Sequence, residues 1–250
     1  MIIMRKYFFI AILLLSFVIA VSGNINEGLI AYYPFDGDLE DKTGNFEEGY
    51  LVGNRINVPA LGNPKFDEGV VGQALVFDGK KGVVLGDDLI TDYDYSVSFW
   101  LKIEDFTQHT TTFFGCYVDE ENYFYWLSFV PYGWNNGTLL WARDDRKNIW
   151  FDGIPPFNLE KDRWYHVVII VDKGKAHLFI DGKEVPLKVQ INGQPDPNGL
   201  VPDVFSVGPG GVFALGVNFW DPPFKGMIDE LRIYDRPLTA EEVKELFQKR

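Results

Sequence analysis

Cysteine and histidine are scarce in this sequence. Its 250 residues contain one cysteine, Cys116, and three histidines. A single cysteine excludes an intrachain disulfide, and Cys116 is expected to be a small buried hydrophobe. No His and Cys residues have the spacing of a transition-metal site, and His109 and His177 have no Ser, Cys or paired carboxylates around them. The sequence therefore offers neither a disulfide framework nor a recognisable nucleophile with its base.

Positive charge is also in short supply. Lys and Arg number 23 against 36 Asp and Glu, which gives a net charge of -13. Without a basic patch to neutralise phosphates, nucleic acid and anionic membranes are disfavoured as partners. Neutral ligands or cations fit this balance better. The 46% of hydrophobic and 16% of aromatic residues are enough for a sizeable core.

A long hydrophobic run lies at the N-terminus, from Tyr7 to Val21. Arg5 and Lys6 precede it, and the small residues Ser22 and Gly23 follow. This order is typical of a secretory signal peptide, which we place at residues 1–23. An uncleaved membrane anchor is the alternative, since the run is near the lower length limit for a span. In either case the protein is expected to be secreted, periplasmic or on the cell surface.

Residues 24–250 have the pattern of a single β domain. Short strand-like segments alternate with Gly, Asn and Pro, and nothing in this region marks a linker or a repeat. Residues 187–211, rich in Pro and Gly, are expected to form a long irregular connection at the rim of a sandwich, where binding residues often lie. The predicted strands are Leu29 to Phe35, Gln73 to Phe77, Gly82 to Leu85, Tyr95 to Ile103, Tyr123 to Val130, Thr138 to Arg143, Trp164 to Asp172, Lys175 to Ile180, Val204 to Val207 and Gly226 to Tyr234.

The last of these strands carries a carboxylate among apolar residues. Strict alternation predicts one face made of Met227, Asp229, Leu231 and Ile233. A buried Asp229 would need hydrogen-bond donors, a cation or a metal. The first strand is the expected partner of this closing strand. After Pro237, a capping box from Thr239 to Glu242 predicts a short amphipathic helix.

Six sequence blocks, in order, resemble a known family. The resemblance is to laminin-G-like jelly-roll domains, which belong to the concanavalin A-like lectin/glucanase superfamily. It implies an all-β, two-sheet antiparallel jelly-roll sandwich with neighbouring first and last strands, a short C-terminal helix and a concave, often ligand-binding sheet. The blocks are Gly28 to Gly37, Gly72 to Gly79, Tyr95 to Lys102, Trp164 to Val168, Phe179 to Lys183 and Gly226 to Tyr234.

Oxygen-bearing side chains after the first strand suggest a calcium site. Asp36, Asp38, Asp41 and Asn45 lie close together in sequence, and pairing of the terminal strands would bring Asp229 near them. Calcium takes six to eight oxygen ligands, and similar domains often carry a structural calcium near their termini. We therefore predict Asp36, Asp38, Asn45 and Asp229 as calcium ligands. The alternative is that Asp36 and Asp38 only cap a turn through local backbone amides, and that Asp229 pairs with a hydroxyl or Arg.

Aromatic residues are unusually dense between Tyr117 and Phe151. Such rings stack on the apolar faces of sugars, although core packing is the alternative for any single ring. Trp134 and Trp220 lie in predicted loops, where a tryptophan is hard to bury. Polar neighbours of the rings would bind hydroxyls. The predicted ligand-binding residues are Trp134, Trp126, Tyr132, Trp141, Trp150, Trp220, Asn135, Asn136, Arg143 and Asp144.

The pattern expected for catalysis is missing. Glycosidases use two carboxylates at a fixed separation. The glucanases of the superfamily that this chain resembles carry them in a Glu-x-Asp-x-(x)-Glu run, which this sequence lacks, and the resemblance gives His166 a structural role. We therefore expect a non-catalytic, lectin-like protein that binds a glycan or polysaccharide. An extracellular protein-binding module, and a lyase or hydrolase with an unrecognised active site, are the alternatives.

Overall fold

Alternating apolar side chains arrange this chain as two antiparallel sheets packed face to face. The computed structural model describes residues 23–250. The predicted signal peptide, apart from Gly23, lies outside these residues. The all-β sandwich with one short C-terminal helix confirms the predicted fold class. No helix in the described part of the chain is long and apolar enough to cross a membrane.

The described chain contains seventeen strands and one helix. They are β1 (Leu29–Tyr33), β2 (Tyr50–Val52), β3 (Lys65–Glu68), β4 (Gln73–Asp78), β5 (Gly82–Asp87), β6 (Tyr95–Asp105), β7 (Phe113–Val118), β8 (Phe124–Val130), β9 (Leu139–Asp144), β10 (Ile149–Ile154), β11 (Trp164–Asp172), β12 (Lys175–Ile180), β13 (Lys183–Val185), β14 (Lys188–Ile191), β15 (Gln194–Pro195), β16 (Val212–Leu215), β17 (Lys225–Tyr234) and α1 (Ala240–Gln248).

The strands divide into sheets of eight and nine strands. Sheet A has the order β13-β12-β11-β6-β17-β4-β3, and β1 pairs with β17 beside this path. Sheet B has the order β15-β14-β10-β9-β8-β7-β16-β5-β2. The predicted pairing of the first and last strands is confirmed, with Tyr32 opposite Arg232 and Tyr33 opposite Leu231.

The core lies between the two inner sheet faces and is rich in phenylalanine. Phe99 of sheet A packs on Phe113 and Phe129 of sheet B, with ring centroids 6.4 and 6.0 Å apart. These three rings are fully buried. Such burial removes a large apolar area from water, so it contributes strongly to folding. The inward face of each strand in sheet B is thereby fixed, and the alternate residues must point outward.

A β-bulge in β17 changes the predicted faces of that strand. The register against β6 shifts between Asp229 and Arg232, and Glu230 has φ = 55°. Because the bulge adds a residue, Ile228 shares the core with Leu231 and Ile233. The prediction that Met227 and Asp229 share a face with Leu231 and Ile233 is therefore wrong.

The C-terminal helix begins as predicted. The Thr239 hydroxyl accepts a hydrogen bond from the Glu242 amide, while the Glu242 carboxylate accepts one from the Thr239 amide. Val243 and Leu246 are buried against the outer face of sheet A, together with Val168 and Tyr234. The capping box thus starts a helix that covers part of this sheet.

The segment from 187 to 211 is more ordered than predicted. It begins with the β14–β15 hairpin, and irregular backbone follows. The strand predicted at Val204 to Val207 is wrong, since this stretch contains a turn in which Val204 and Phe205 pack into the core. The apolar pattern there reflects burial of an irregular segment.

Candidate functional site

Side chains on the outer face of sheet B form a regular lattice. Trp150 on β10 lies opposite Arg143 on β9, and Asp152 lies opposite Trp141. On the other side of β9, Trp126 of β8 also lies opposite Arg143. Alternation places these side chains outward because their strand neighbours pack into the core.

Three tryptophans of this lattice are in contact. The rings of Trp141 and Trp150 are 5.3 Å apart and inclined by 32°. Both meet the ring of Trp126 at nearly right angles, at 5.1 and 5.8 Å. Trp126 is only 6% exposed, whereas Trp150 is 36% exposed. Trp126 therefore forms a floor that supports two more accessible rings, an edge-to-face arrangement that aromatic rings favour.

A fourth tryptophan reaches this surface from the loop between β8 and β9. Trp134 is 42% exposed, and its indole N–H donates to the Oδ1 atom of Asp152 at 3.2 Å. Asp152 is 4% exposed. Burial raises the pKa of Asp152, and the hydrogen bond from Trp134 opposes this change. The contact fixes a loop ring against the sheet.

Arg143 holds one side of Trp150. Its Cζ atom lies 4.4 Å from the centroid of that ring, within the range of a cation–π contact. Its Nε donates to Asp145 at 2.6 Å, and its Nη2 donates to the Oδ1 atom of Asn148 at 3.0 Å. These bonds fix the guanidinium, so the ring it contacts is held in one orientation.

The β14–β15 hairpin forms the far edge of the surface. The Trp150 amide donates to the Asn192 side chain at 2.8 Å, and the Asn192 amide donates to the Trp150 carbonyl at 2.9 Å. Asn192 and Gly193 have φ values of 52° and 73°, as a tight hairpin turn requires. The turn therefore lies directly beside Trp150.

An open cavity of about 640 Å³ lies on this surface. Flat apolar rings alternate there with amide and carboxylate groups, a combination suited to a neutral ligand with both apolar faces and hydroxyls. Among the described residues that line it, Asp152 is the single carboxylate. The lining residues are Trp134, Trp141, Asn148, Trp150, Asp152, Asn192 and Gly193.

Comparison with known proteins agrees with this architecture. A laminin-G-type family model, described as the concanavalin A-like lectin/glucanases superfamily, matches residues 77–244. The chain belongs to this superfamily. It is also similar to domain 4 of AbnA, a GH43 extracellular arabinanase from Geobacillus stearothermophilus, solved in complex with arabinotriose. The identity is 41% and the TM-score 0.76, over 88% of this chain and 98% of that domain.

More distant structures share the concanavalin A-like fold alone. The binding domain of Paraclostridial Mosquitocidal Protein 1 is 15% identical with a TM-score of 0.58, over 90% of this chain and 52% of that one. A mutant Trypanosoma rangeli sialidase is 14% identical with a TM-score of 0.53, over 88% of this chain and 32% of that one. At these identities the comparison shows only that the sandwich fold is shared.

The concanavalin A-like sandwich brings together half of the predicted ligand-binding residues. Trp134, Trp141 and Trp150 line the cavity, Arg143 contacts Trp150, and Trp126 lies beneath them. The remaining predicted residues lie outside the cavity. Spacing in sequence could not separate the two groups, because it does not record which loops fold back onto the sheet.

Four of the remaining residues make local contacts. Tyr132 packs on Phe106 at 5.7 Å and donates to Asn136. The Asn135 side chain bonds Gly137 and Thr138 within its own loop. Asp144 is fully buried and accepts from the Lys147 amide, on the face of β9 opposite Arg143. The structure does not bring Asp144 to the cavity.

Sequence reasoning missed four polar or small residues that line the cavity: Asn148, Asp152, Asn192 and Gly193. β10 was not among the predicted strands, although the alternation of Trp150 and Asp152 around Phe151 was a usable signal. The Asn-Gly pair at 192–193 is a known hairpin signal. That this turn lies beside Trp150 depends on β14 pairing with β10, which the sequence does not show.

The predicted calcium ligands have separate partners. Asp36 accepts from the Gln73 amide at 2.7 Å, Asp38 pairs with Lys42 at 2.8 Å, and the Asn45 side chain donates to the Ile30 carbonyl at 2.9 Å. Asp41 is the centre of the first loop, where its carboxylate accepts from the amides of Tyr32, Thr43, Asn45 and Phe46.

Asp229 lies at the bulge of β17. It is fully buried, and its Oδ2 atom accepts from the amides of Val70 and Val71 at 2.7 and 3.1 Å. Its Oδ1 atom has no hydrogen-bond partner within the described chain. Over residues 23–250, no three His, Cys, Asp or Glu side chains group closely enough to hold a metal ion. Calcium binding stays a prediction.

Proposed function

We propose that this chain is a non-catalytic carbohydrate-binding protein that holds an oligosaccharide on Trp134, Trp141 and Trp150. The observation that carries the proposal is the cavity itself, where accessible indole rings stand beside Asp152 and the Asn192 turn. Indole rings stack on the C–H faces of sugars, and carboxylate and amide groups bind hydroxyls. The surface supplies both kinds of contact within one depression.

Short arabinose chains are the ligand class that we propose. The 41% identity to an arabinanase domain solved with arabinotriose, over nearly all of that domain, supports this choice. The net charge of -13 also favours a neutral glycan over a polyanionic one. Export from the cytoplasm is part of the proposal, because residues 1–23 have the pattern of a secretory signal peptide. The extracellular arabinanase supports it.

Absence of catalysis is the third part of the proposal. Glycoside hydrolysis uses two carboxylates that flank the scissile bond. Of the described residues lining the cavity, Asp152 alone carries a carboxylate, and Trp134 already occupies one of its oxygens. A hydrolase would require a second carboxylate facing the same sugar.

Calorimetric titration of residues 24–250 with arabinotriose tests the proposal. We expect binding by the wild type and a loss of at least tenfold in affinity for Trp150→Ala, because truncating a central aromatic anchor typically costs about 2 kcal/mol or more. Trp134→Ala should also weaken binding, since it removes a ring and the partner of Asp152. Tyr50→Ala is a matched control: Tyr50 is 57% exposed on β2, at the opposite edge of sheet B.

A glycan array should accompany the titration. Binding to a different neutral glycan that Trp150→Ala abolishes would retain the site and change the ligand. Silence across the array from a folded protein would contradict the carbohydrate proposal and favour the protein-binding alternative. Release of shorter sugars on prolonged incubation would contradict the non-catalytic part.

A further inference from the structure

Trp220 is a further accessible tryptophan on the same outer face of sheet B. It is 44% exposed. Its ring contacts Phe124 at 5.1 Å, Phe114 at 6.1 Å and Trp126 at 6.2 Å. Trp220 does not line the cavity described above. It nevertheless rests on Trp126, the buried ring that supports that cavity.

Trp150, Trp126 and Trp220 therefore form a continuous row across the strands, which we call the aromatic row. Trp150 is 5.8 Å from Trp126, and Trp220 is 6.2 Å from it, so the two accessible rings are at most about 12 Å apart. Trp126 between them is nearly inaccessible. With Trp126 between the two accessible rings, an oligosaccharide running along the row can stack on both of them.

The loop that carries Trp220 is held in place before any ligand arrives. The Asn218 side-chain oxygen accepts from the amides of Trp220 and Asp221, at 2.8 and 2.7 Å. Asn218 is only 4% exposed. The Thr110 hydroxyl donates to the Pro222 carbonyl at 3.1 Å and joins this loop to its neighbour. A preorganised ring loses little conformational entropy on binding, which favours its use as a ligand platform.

Two polar groups lie beside tryptophans of this face. Asp221 is partly exposed, and its Oδ2 atom accepts from the Asn218 side chain at 2.7 Å. His109 stacks on Trp141, with ring centroids 5.8 Å apart and an angle of 30°. Burial raises the pKa of Asp221, and the hydrogen bond from Asn218 opposes this change.

We propose that Trp220 and Asp221 form a second subsite, which binds the further units of a linear oligosaccharide whose first units occupy the cavity. The inference rests on the proposed function and deepens it: the natural ligand is an extended chain rather than a single sugar or a chain end. Trp220 stacks on one unit, and Asp221 accepts hydrogen bonds from its hydroxyls.

Chain-length dependence tests this subsite. Affinities of a linear arabino-trisaccharide and a linear arabino-hexasaccharide are measured by calorimetry on the wild type, Trp220→Ala, Trp220→Phe and Asp221→Asn. We expect the wild type to prefer the hexasaccharide by roughly three- to tenfold, the range for one additional aromatic contact. Trp220→Ala should lose most of that preference with trisaccharide affinity unchanged within about twofold, and Trp220→Phe should regain part of it.

The outcomes separate the subsite from the primary site. A longer chain offers more binding registers, so the diagnostic quantity is the difference in preference between the wild type and Trp220→Ala. Equal preference in these two proteins overturns the subsite and leaves the proposed function intact. An equal loss for both oligosaccharides also overturns it, because Trp220 would then act only by supporting Trp126. Failure of the wild type to bind either oligosaccharide overturns both proposals.

Discussion

At the scale of single residues, environment decides what each group can do. Trp126 and Trp150 are chemically identical, yet one is a buried support and the other an accessible ring. Asp41 and Asp229 are both buried and differ in their hydrogen-bond donors. Asp41 accepts from the Thr43 hydroxyl and from several backbone amides, and these bonds outweigh burial and lower its pKa. Asp229 has two amide donors and one unpartnered oxygen, so the effect of burial dominates and its pKa is raised.

Asp229 is expected to make stability depend on pH. Burial raises its pKa to about 7, against the amides of Val71 and Val70. Because the folded state then binds the proton more tightly than the unfolded state, the contribution of Asp229 to the free energy of unfolding is greatest at acidic pH. This contribution falls as the pH rises towards 7. Between pH 5 and 7 the free energy of unfolding should fall by up to about 3 kcal/mol, since one proton changes it by about 1.4 kcal/mol per pH unit. Urea unfolding with EDTA present measures it.

Asp229→Asn supplies the comparison for this effect. The amide oxygen of Asn can accept from Val70 and Val71, but the side chain cannot ionise. The variant should therefore lose less stability than the wild type between pH 5 and 7. Parallel pH profiles for the two proteins would show that other groups cause the dependence.

At the scale of elements, β17 organises sheet A. Along one edge it pairs first with β4, through Met227 and Ile228, and then with β1, through Leu231 and Ile233. The bulge at Glu230 falls where one partner gives way to the other. Glu230 is buried there and accepts from the Tyr32 hydroxyl at 2.7 Å and from Arg232 at 2.6 Å. A single strand thus joins both ends of the chain to the central sheet.

The capping box of α1 should contribute measurably to stability. Thr239→Ala removes the acceptor for the Glu242 amide and is expected to lower the free energy of unfolding by about 1 kcal/mol. Thr239→Ser keeps the hydroxyl and is the control. The midpoint of urea unfolding should fall for the alanine variant without a change in the denaturant slope. An equal fall for the serine variant would show that the methyl group, rather than the cap, matters.

At the scale of the whole molecule, the two sheets separate two tasks. The outer face of sheet B carries the cavity and the aromatic row. The outer face of sheet A is partly covered by α1, and this sheet contains the paired terminal strands. Changes near the termini should therefore affect stability before they affect ligand binding.

The calcium prediction belongs to this scale, because its ligands would join the first loop to the last strand. If calcium binds there, adding it should raise the melting temperature of the metal-free protein by several degrees, since a ligand of the folded state stabilises it by mass action. Asp229→Asn should reduce the increase. An unchanged melting temperature in calcium and in EDTA would instead support the turn-capping alternative, in line with the Glu40 amide that donates to Asp38.

The sequence by itself determined the class of fold, the terminal strand pairing and the capped helix. The strands and the helix follow from local chemistry, because alternation, turn residues and capping side chains act over a few positions. The strand pairing is what the family resemblance implies. Only the tertiary structure decided which rings meet and which carboxylates stand alone. Trp134 reaches Asp152 because a loop folds onto β10, and the Asn192 turn lies beside Trp150 because β14 pairs with β10. The bulge at Glu230 likewise reassigned Ile228 and Asp229, since one added residue reverses the faces of a strand.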